Sequence, residues 1–239
     1  MWSGPRNIST ALLRSWGSRA DTAVVDEPLY AFYLAATGLD HPGRSEILAA
    51  QPTDWPTVAA QLTGPVPHGR AISYQKHMAH HLLPEVDRAW LTGFRHAFLL
   101  REPRAMLASL AKVLPTPPRV EDTGLPQQVE LFERFAETHG TPPPVIDSRE
   151  VLENPEGMLR ALCAALDVPF DPAMLTWEEG PRDTDGVWAR HWYATVEQST
   201  GFAPPRPEGT AGLPGHLLHV LAECERHYAV LRPHRLRVP

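Results

Sequence analysis

Cysteine is scarce in this chain, with only Cys163 and Cys224 among 239 residues. Two cysteines and no CxxC pair exclude a disulfide framework. They predict reduced thiols and a cytoplasmic setting, with Cys163 at a buried helix position inside Met158-Leu159-Arg160-Ala161-Leu162-Cys163. Long apolar runs are missing too. No stretch approaches the roughly 18 residues of a membrane span. No charged region followed by an apolar run opens the chain, so no signal peptide is expected. Positive charge is not in excess: the formal net charge is −6, which argues against a nucleic-acid partner. A site for phosphate or sulfate stays open, because it needs only a few focused donors.

Proline, in contrast, is abundant at 26 residues. It clusters in Pro115-Thr116-Pro117-Pro118, Pro142-Pro143-Pro144 and Pro204-Pro205-Arg206-Pro207, which read as stiff loops between elements. None is long enough to link domains, and no internal repeat is visible. A 43% hydrophobic content supplies a core and excludes disorder. One domain over residues 1–239 is expected.

Short apolar runs alternate with helical patterns. Thr22-Ala23-Val24-Val25, Ala71-Ile72-Ser73-Tyr74, Ala97-Phe98-Leu99-Leu100 and Val145-Ile146 are candidate strands, each ending in polar residues. Helices are predicted over 9–18, 103–113, from Pro155 behind an Asn154 cap, and over 215–231; residues 38–68 are helical only in parts. Repeated β-α units predict an α/β fold of three layers, with a mostly parallel sheet covered by helices on both faces. In such sheets the ligand sits beyond the carboxyl ends of the strands. That rule selects the first loop, Asp26-Glu27, Gln75-Lys76 with the histidines that follow, and Arg101 to Ser109.

The first loop, Ser3-Gly4-Pro5-Arg6-Asn7-Ile8-Ser9-Thr10, leads straight into a helix. A turn of this kind offers free backbone N–H groups and the positive end of the helix dipole to an anion. Ser9 and Thr10 add hydroxyls, and Arg6 adds a permanent charge. No GxxxxGK[ST] pattern is present, which weakens an ATPase or kinase reading. The second segment is Leu99-Leu100-Arg101-Glu102-Pro103 through Ser109, in which a strand-end arginine offers fork donors and a serine lies two helical turns on.

Together these segments resemble the P-loop sulfotransferases, which use 3′-phosphoadenosine 5′-phosphosulfate as sulfuryl donor. The resemblance implies that Gly4, Pro5, Arg6, Asn7, Ile8, Ser9 and Thr10 form a phosphate cradle that binds this donor. It also implies that Arg101 and Ser109 hold its 3′-phosphate. It extends more loosely to Val145 through Pro155. Two departures stand out. Met1-Trp2 leave little room for a first strand, so either the start is cut or the central strand is very short. Asn7-Ile8 stand where the family usually has Ser-Gly, which predicts a less open loop.

The resemblance implies in-line sulfuryl transfer to a hydroxyl or amine of a small-molecule acceptor, with no metal required. Arg6 is expected to stabilise the leaving group, with Lys76 as a second cation. Two candidates stand for the base. Glu27, in Val25-Asp26-Glu27-Pro28, matches a glutamate after the second strand in members acting on carbohydrates and lipids, and is favoured on position. The other is a histidine of Lys76-His77-Met78-Ala79-His80-His81; Met78 occupies the place of the family's Lys-x-His histidine, so the match needs His80 or His81. His77 and His81, four apart, would share one face of a helix and could hold a metal, but no third ligand is evident. Trp188 to Tyr193 reads as aromatic core, and Ser199-Thr200-Gly201 as a loop able to close over the nucleotide. A kinase-like enzyme and a non-catalytic nucleotide-binding module are the competing readings.

Overall fold

The computed structural model describes residues 1–114, 116–205 and 212–238. Pro115 and Arg206-Pro207 of the predicted stiff loops lie outside the described residues. Five parallel strands form one sheet: β1 (Trp2–Ser3), β2 (Thr22–Asp26), β3 (Ile72–Met78), β4 (Phe98–Leu100) and β5 (Val145–Asp147). Their order is β2-β3-β1-β4-β5, so the shortest strand lies at the centre. Trp2 is matched with His77 on one side and Phe98 on the other.

Alternation along the strands feeds two cores. Trp2, Phe98, Leu100 and Val145 face helices α5 (Pro103–Leu110), α6 (Leu125–His139) and α11 (Leu218–Leu231). Met1, Tyr74, Leu99 and Ile146 face α1 (Ser9–Gly17), α7 (Ser148–Glu153) and α8 (Pro155–Ala165). Helices therefore cover both faces, as the sequence pattern predicts. Helices α2 (Tyr30–Thr37), α3 (Arg44–Ala50), α4 (Trp55–Leu62), α9 (Ala189–Trp192) and α10 (Ala194–Glu197) complete the structure. A third cluster, Tyr30, Tyr33, Leu34, Ile47, Trp188 and Tyr193, packs α2 and α3 against the α9–α10 segment.

The caps follow local chemistry. Asn154 accepts from the Gly157 amide at 3.0 Å with Pro155 opening α8, and the Glu102 carboxylate caps α5 through the Arg104 and Ala105 amides. Among the described residues no helix is long and apolar enough to cross a membrane. Three boundaries differ from expectation. Strand β3 runs through Gln75-Lys76 to Met78, because each of its residues from Tyr74 onward is buried between neighbouring strands. Helix α5 stops at Leu110 instead of reaching Val113. The histidines form no helix face: His77 belongs to β3, and Ala79–His81 is a single 3-10 turn.

Candidate functional site

At the carboxyl ends of the strands lies one cleft of about 1640 Å³. It begins where the chain leaves β1. Gly4 passes so close to the neighbouring backbone that a Cβ there would stand 2.5 Å from the Thr123 carbonyl oxygen. Gly4 itself is buried and lines only a small adjoining pocket; Pro5 through Thr10 line the main cleft. Arg6 adopts a left-handed conformation with φ 56°. Such a conformation costs an ordinary residue about 1–3 kcal/mol and persists only where its surroundings enforce it. Asn7 supplies part of that enforcement. Its side chain donates to the Leu99 carbonyl at 3.1 Å and accepts from the Ile8 amide at 3.0 Å, fastening the loop to β4.

Helix α1 starts with no capping side chain and no acid in its first turn. Its leading amides and the positive end of its dipole therefore face the cleft uncompensated. The two segments singled out in the sequence meet here. Arg6 Nε donates to Ser109 Oγ at 3.1 Å, and the Arg101 guanidinium donates to the Arg6 carbonyl oxygen. Arg6 is exposed, whereas Arg101 and Ser109 are half-buried on the cleft wall.

Across the cleft the β2–β3 register sets Asp26 beside Lys76. Glu27 follows in a left-handed conformation, φ 40°, with its amide still bonded to the Lys76 carbonyl at 2.9 Å. The Lys76 ammonium donates to Asp26 Oδ1 at 2.8 Å, Glu27 Oε1 at 2.7 Å and the Tyr193 hydroxyl at 2.7 Å. Its side chain is 1% exposed and all three protons are committed. Tyr193 donates in turn to Asp26 Oδ2 at 2.6 Å and accepts from Trp188 Nε1 at 3.2 Å. Trp188 packs tightly because Gly186 has no Cβ; one would stand 2.1 Å from the indole. A buried two-pronged ion pair, Arg14 to Asp185 at 2.6 Å on both prongs, ties this segment to α1.

Two carboxylates share one ammonium in this buried cluster. Burial, with the neighbouring Asp26 carboxylate adding to it, raises the Glu27 carboxyl above its ordinary pKa against the opposing pull of Lys76. Burial alone would deprotonate Lys76, but the carboxylates of Asp26 and Glu27 overcome it and hold the ammonium charged.

The histidines answer differently from expectation. His80 and His81 do line the cleft. His81 is stacked between Tyr30 and Tyr33 at centroid distances of 4.6 and 4.7 Å, and His80 meets Tyr33 edge-on at 5.4 Å. Burial lowers the pKa of His80 to about 3 and that of His81 well below its usual value, so both rings are neutral near pH 7. His77 stands away from them, stacked on Trp2 at 4.4 Å and bonded to Gln75 at 3.1 Å. The pair four apart therefore shares no helix face, since the chain is extended at His77. Among the described residues no three His, Cys, Asp or Glu side chains gather as metal ligands. Ser199, Gly201 and Phe202 reach the cleft, with the Thr200 carbonyl accepting from the Trp177 amide at 3.1 Å.

The strand-end rule selected Asp26 together with Glu27 but gave it no role, and sequence reasoning left Tyr193 out of the site. Tyr193 had no such signal, because only folding brings it across 117 residues to Lys76.

A parallel α/β sheet with an uncapped helix after its central strand defines a P-loop NTPase-like fold. A family model described as Sulfotransferase domain matches residues 1–217, and the chain belongs to that family. The Arabidopsis thaliana protein named Branched-chain-amino-acid aminotransferase-like protein 1 is 40% identical over 208 residues, covering 86% of this chain and 36% of that protein. Branched-chain-amino-acid aminotransferase-like protein 2 is 35% identical over 233 residues, covering 98% and 41%. The chain thus spans about two fifths of the length of these relatives. Among solved structures it shares its fold with a sulfotransferase from Alicyclobacillus acidocaldarius (TM-score 0.59, 14% identity, 99% of this chain and 95% of that one). The sulfotransferase domain of the Synechococcus PCC 7002 olefin synthase is similar to it as well (TM-score 0.59, 16% identity, 100% and 94%).

Proposed function

We propose that this sulfotransferase domain moves a sulfuryl group from 3′-phosphoadenosine 5′-phosphosulfate to a hydroxyl or amine of a small-molecule acceptor. The observation that carries the reading is the meeting of Arg6, Arg101 and Ser109 on one wall of the cleft that also holds Glu27. The α1 amides and Arg6 take the donor's 5′-phosphate, and Arg101 with Ser109 takes its 3′-phosphate. The second phosphate distinguishes this donor from ATP.

Glu27 is the base. It removes the proton as the acceptor oxygen or nitrogen bonds to sulfur, while the bond from sulfur to the bridging oxygen of the 5′-phosphate breaks. The electron pair leaves with adenosine 3′,5′-bisphosphate, and Arg6 with the amides neutralises that charge. A carboxyl raised by burial is better matched to this task than one at its ordinary pKa. The neutral imidazoles of His80 and His81 are poor bases with pKa values this low. Lys76 acts on Glu27 and not on the donor, because none of its protons is spare.

The test follows ³⁵S from the labelled donor into a panel of phenols, alcohols and amines. Glu27→Gln should lower kcat on the order of 10²- to 10⁴-fold, the usual range for losing a general base, with affinity for adenosine 3′,5′-bisphosphate kept. Full turnover in Glu27→Gln would remove Glu27 from the mechanism.

A further inference from the structure

The carboxylates at the end of β2 are chemically alike and share one cation, yet the structure treats them unequally. Asp26 is bonded at both oxygens, by Lys76 to Oδ1 at 2.8 Å and by Tyr193 to Oδ2 at 2.6 Å. Glu27 takes its 2.7 Å bond from Lys76 through Oε1 and borders the cleft. The asymmetry originates in Tyr193. Its oxygen already receives two donors, Lys76 at 2.7 Å and Trp188 Nε1 at 3.2 Å, so its single proton is directed to Asp26.

From this geometry we infer that Tyr193 is the positioning residue that commits Asp26 to its bonded place and leaves Glu27 as the carboxylate that accepts the acceptor's proton. Trp188 orients Tyr193 from behind. The catalytic consequence rests on Glu27 being the base, as proposed above; the arrangement of the two carboxylates does not.

The surroundings leave few other actors. The groups around Glu27 are Asp26 on β2, Lys76 on β3, Tyr193 after α9 and Tyr30 on α2, with His81 stacked on Tyr30 at 4.6 Å. Burial raises the Tyr30 phenol above its ordinary value and lowers His81 well below its own, so both are neutral near pH 7. The Tyr193 proton lies on Asp26, so the hydroxyl acts on Glu27 only through the shared Lys76 ammonium. Removing that hydroxyl leaves Asp26 competing more strongly for Lys76. The loss of Lys76 moves Glu27 upward.

The experiment is a carboxyl ¹³C NMR titration of the whole chain, with Glu27 assigned by the signal lost in Glu27→Gln. In Tyr193→Phe the Glu27 midpoint should rise by about one pH unit, the shift equivalent to one charge-assisted hydrogen bond. Trp188→Phe keeps an aromatic side chain but loses the Nε1 donor with part of the indole, and should move it in the same direction by less. Adenosine 3′,5′-bisphosphate binding reports that each variant is folded. An unchanged Glu27 midpoint in a variant that still binds this nucleotide overturns the inference. If Tyr193→Phe fails to bind it, the Trp188→Phe titration decides on the same criterion. The acid limb of the kcat–pH profile should move with the NMR midpoint. A midpoint that moves while the limb stays put upholds Tyr193 as the organiser of the carboxylates and removes Glu27 as the base.

Discussion

At the scale of single residues, the site is governed by how many protons each donor has to spend. Lys76 has three and gives all to Asp26, Glu27 and Tyr193. A cation buried so deeply is retained only because its partners are kept. Arg6 is the opposite, an exposed cation anchored by one hydroxyl at 3.1 Å. Arg101, half-buried and bonded to the Arg6 carbonyl, ties the loop that would hold one phosphate to the residue proposed to hold the other. Replacing it by alanine should weaken adenosine 3′,5′-bisphosphate binding roughly 10- to 150-fold, the equivalent of about 1.5–3 kcal/mol for a charge-assisted bond. Arg101→Lys should recover little of this, because an ammonium lacks the planar fork. Calorimetry on the variants checks both. The residues of this half of the site were legible in sequence, since an arginine and a serine eight apart after a strand are a local signal. The Tyr193 contact was not, because nothing local encodes it.

At the scale of elements, strand ends and caps were readable and strand lengths were not. The apolar runs at 22–25, 97–100 and 145–146 mark real strands, and Asn154-Pro155 marks a real helix start. Strand β3 defied its polar composition. Gln75, Lys76 and His77 look like a loop in sequence, but Gln75 and His77 bond to each other and Lys76 to the cluster, so burial is compensated. The same misreading put the histidines on a helix. The two-residue β1 makes the turn after it demanding. Gly4→Ala would place a methyl carbon 2.5 Å from the Thr123 carbonyl oxygen, an atom that cannot move without the backbone around it. The variant should lose about 1–3 kcal/mol of stability, the usual cost of overpacking. Urea unfolding measures that loss, and reduced nucleotide affinity should accompany it because the cradle is displaced.

At the scale of the whole molecule, the sheet order brings the first loop, the β2 end and the β4 end to one edge, which the strand-end rule anticipated without giving the order. The same burial sets the response to pH. His96 sits on Phe135 at 3.6 Å, accepts from Trp2 Nε1 at 3.1 Å and is bonded to the Leu91 carbonyl at 2.9 Å. Burial lowers its pKa from 6.5 to about 4. The unfolded chain then takes a proton below pH 6.5 that the folded chain refuses until about pH 4, so stability is lost as pH falls through that window. His96 alone accounts for about 3 kcal/mol across it, and His80 and His81 act in the same direction. Glu27, raised instead of lowered, acts in the opposite direction. Denaturant midpoints should therefore fall between pH 7.5 and 5, less steeply in His96→Gln. Whether the cleft takes a nucleotide with two separated phosphates is decided by calorimetric titration of the unmodified chain with adenosine 3′,5′-bisphosphate, ATP and AMP. The bisphosphate should bind tightly and the other two much more weakly; equal or tighter binding of ATP, or no binding of the bisphosphate, would rule such a site out.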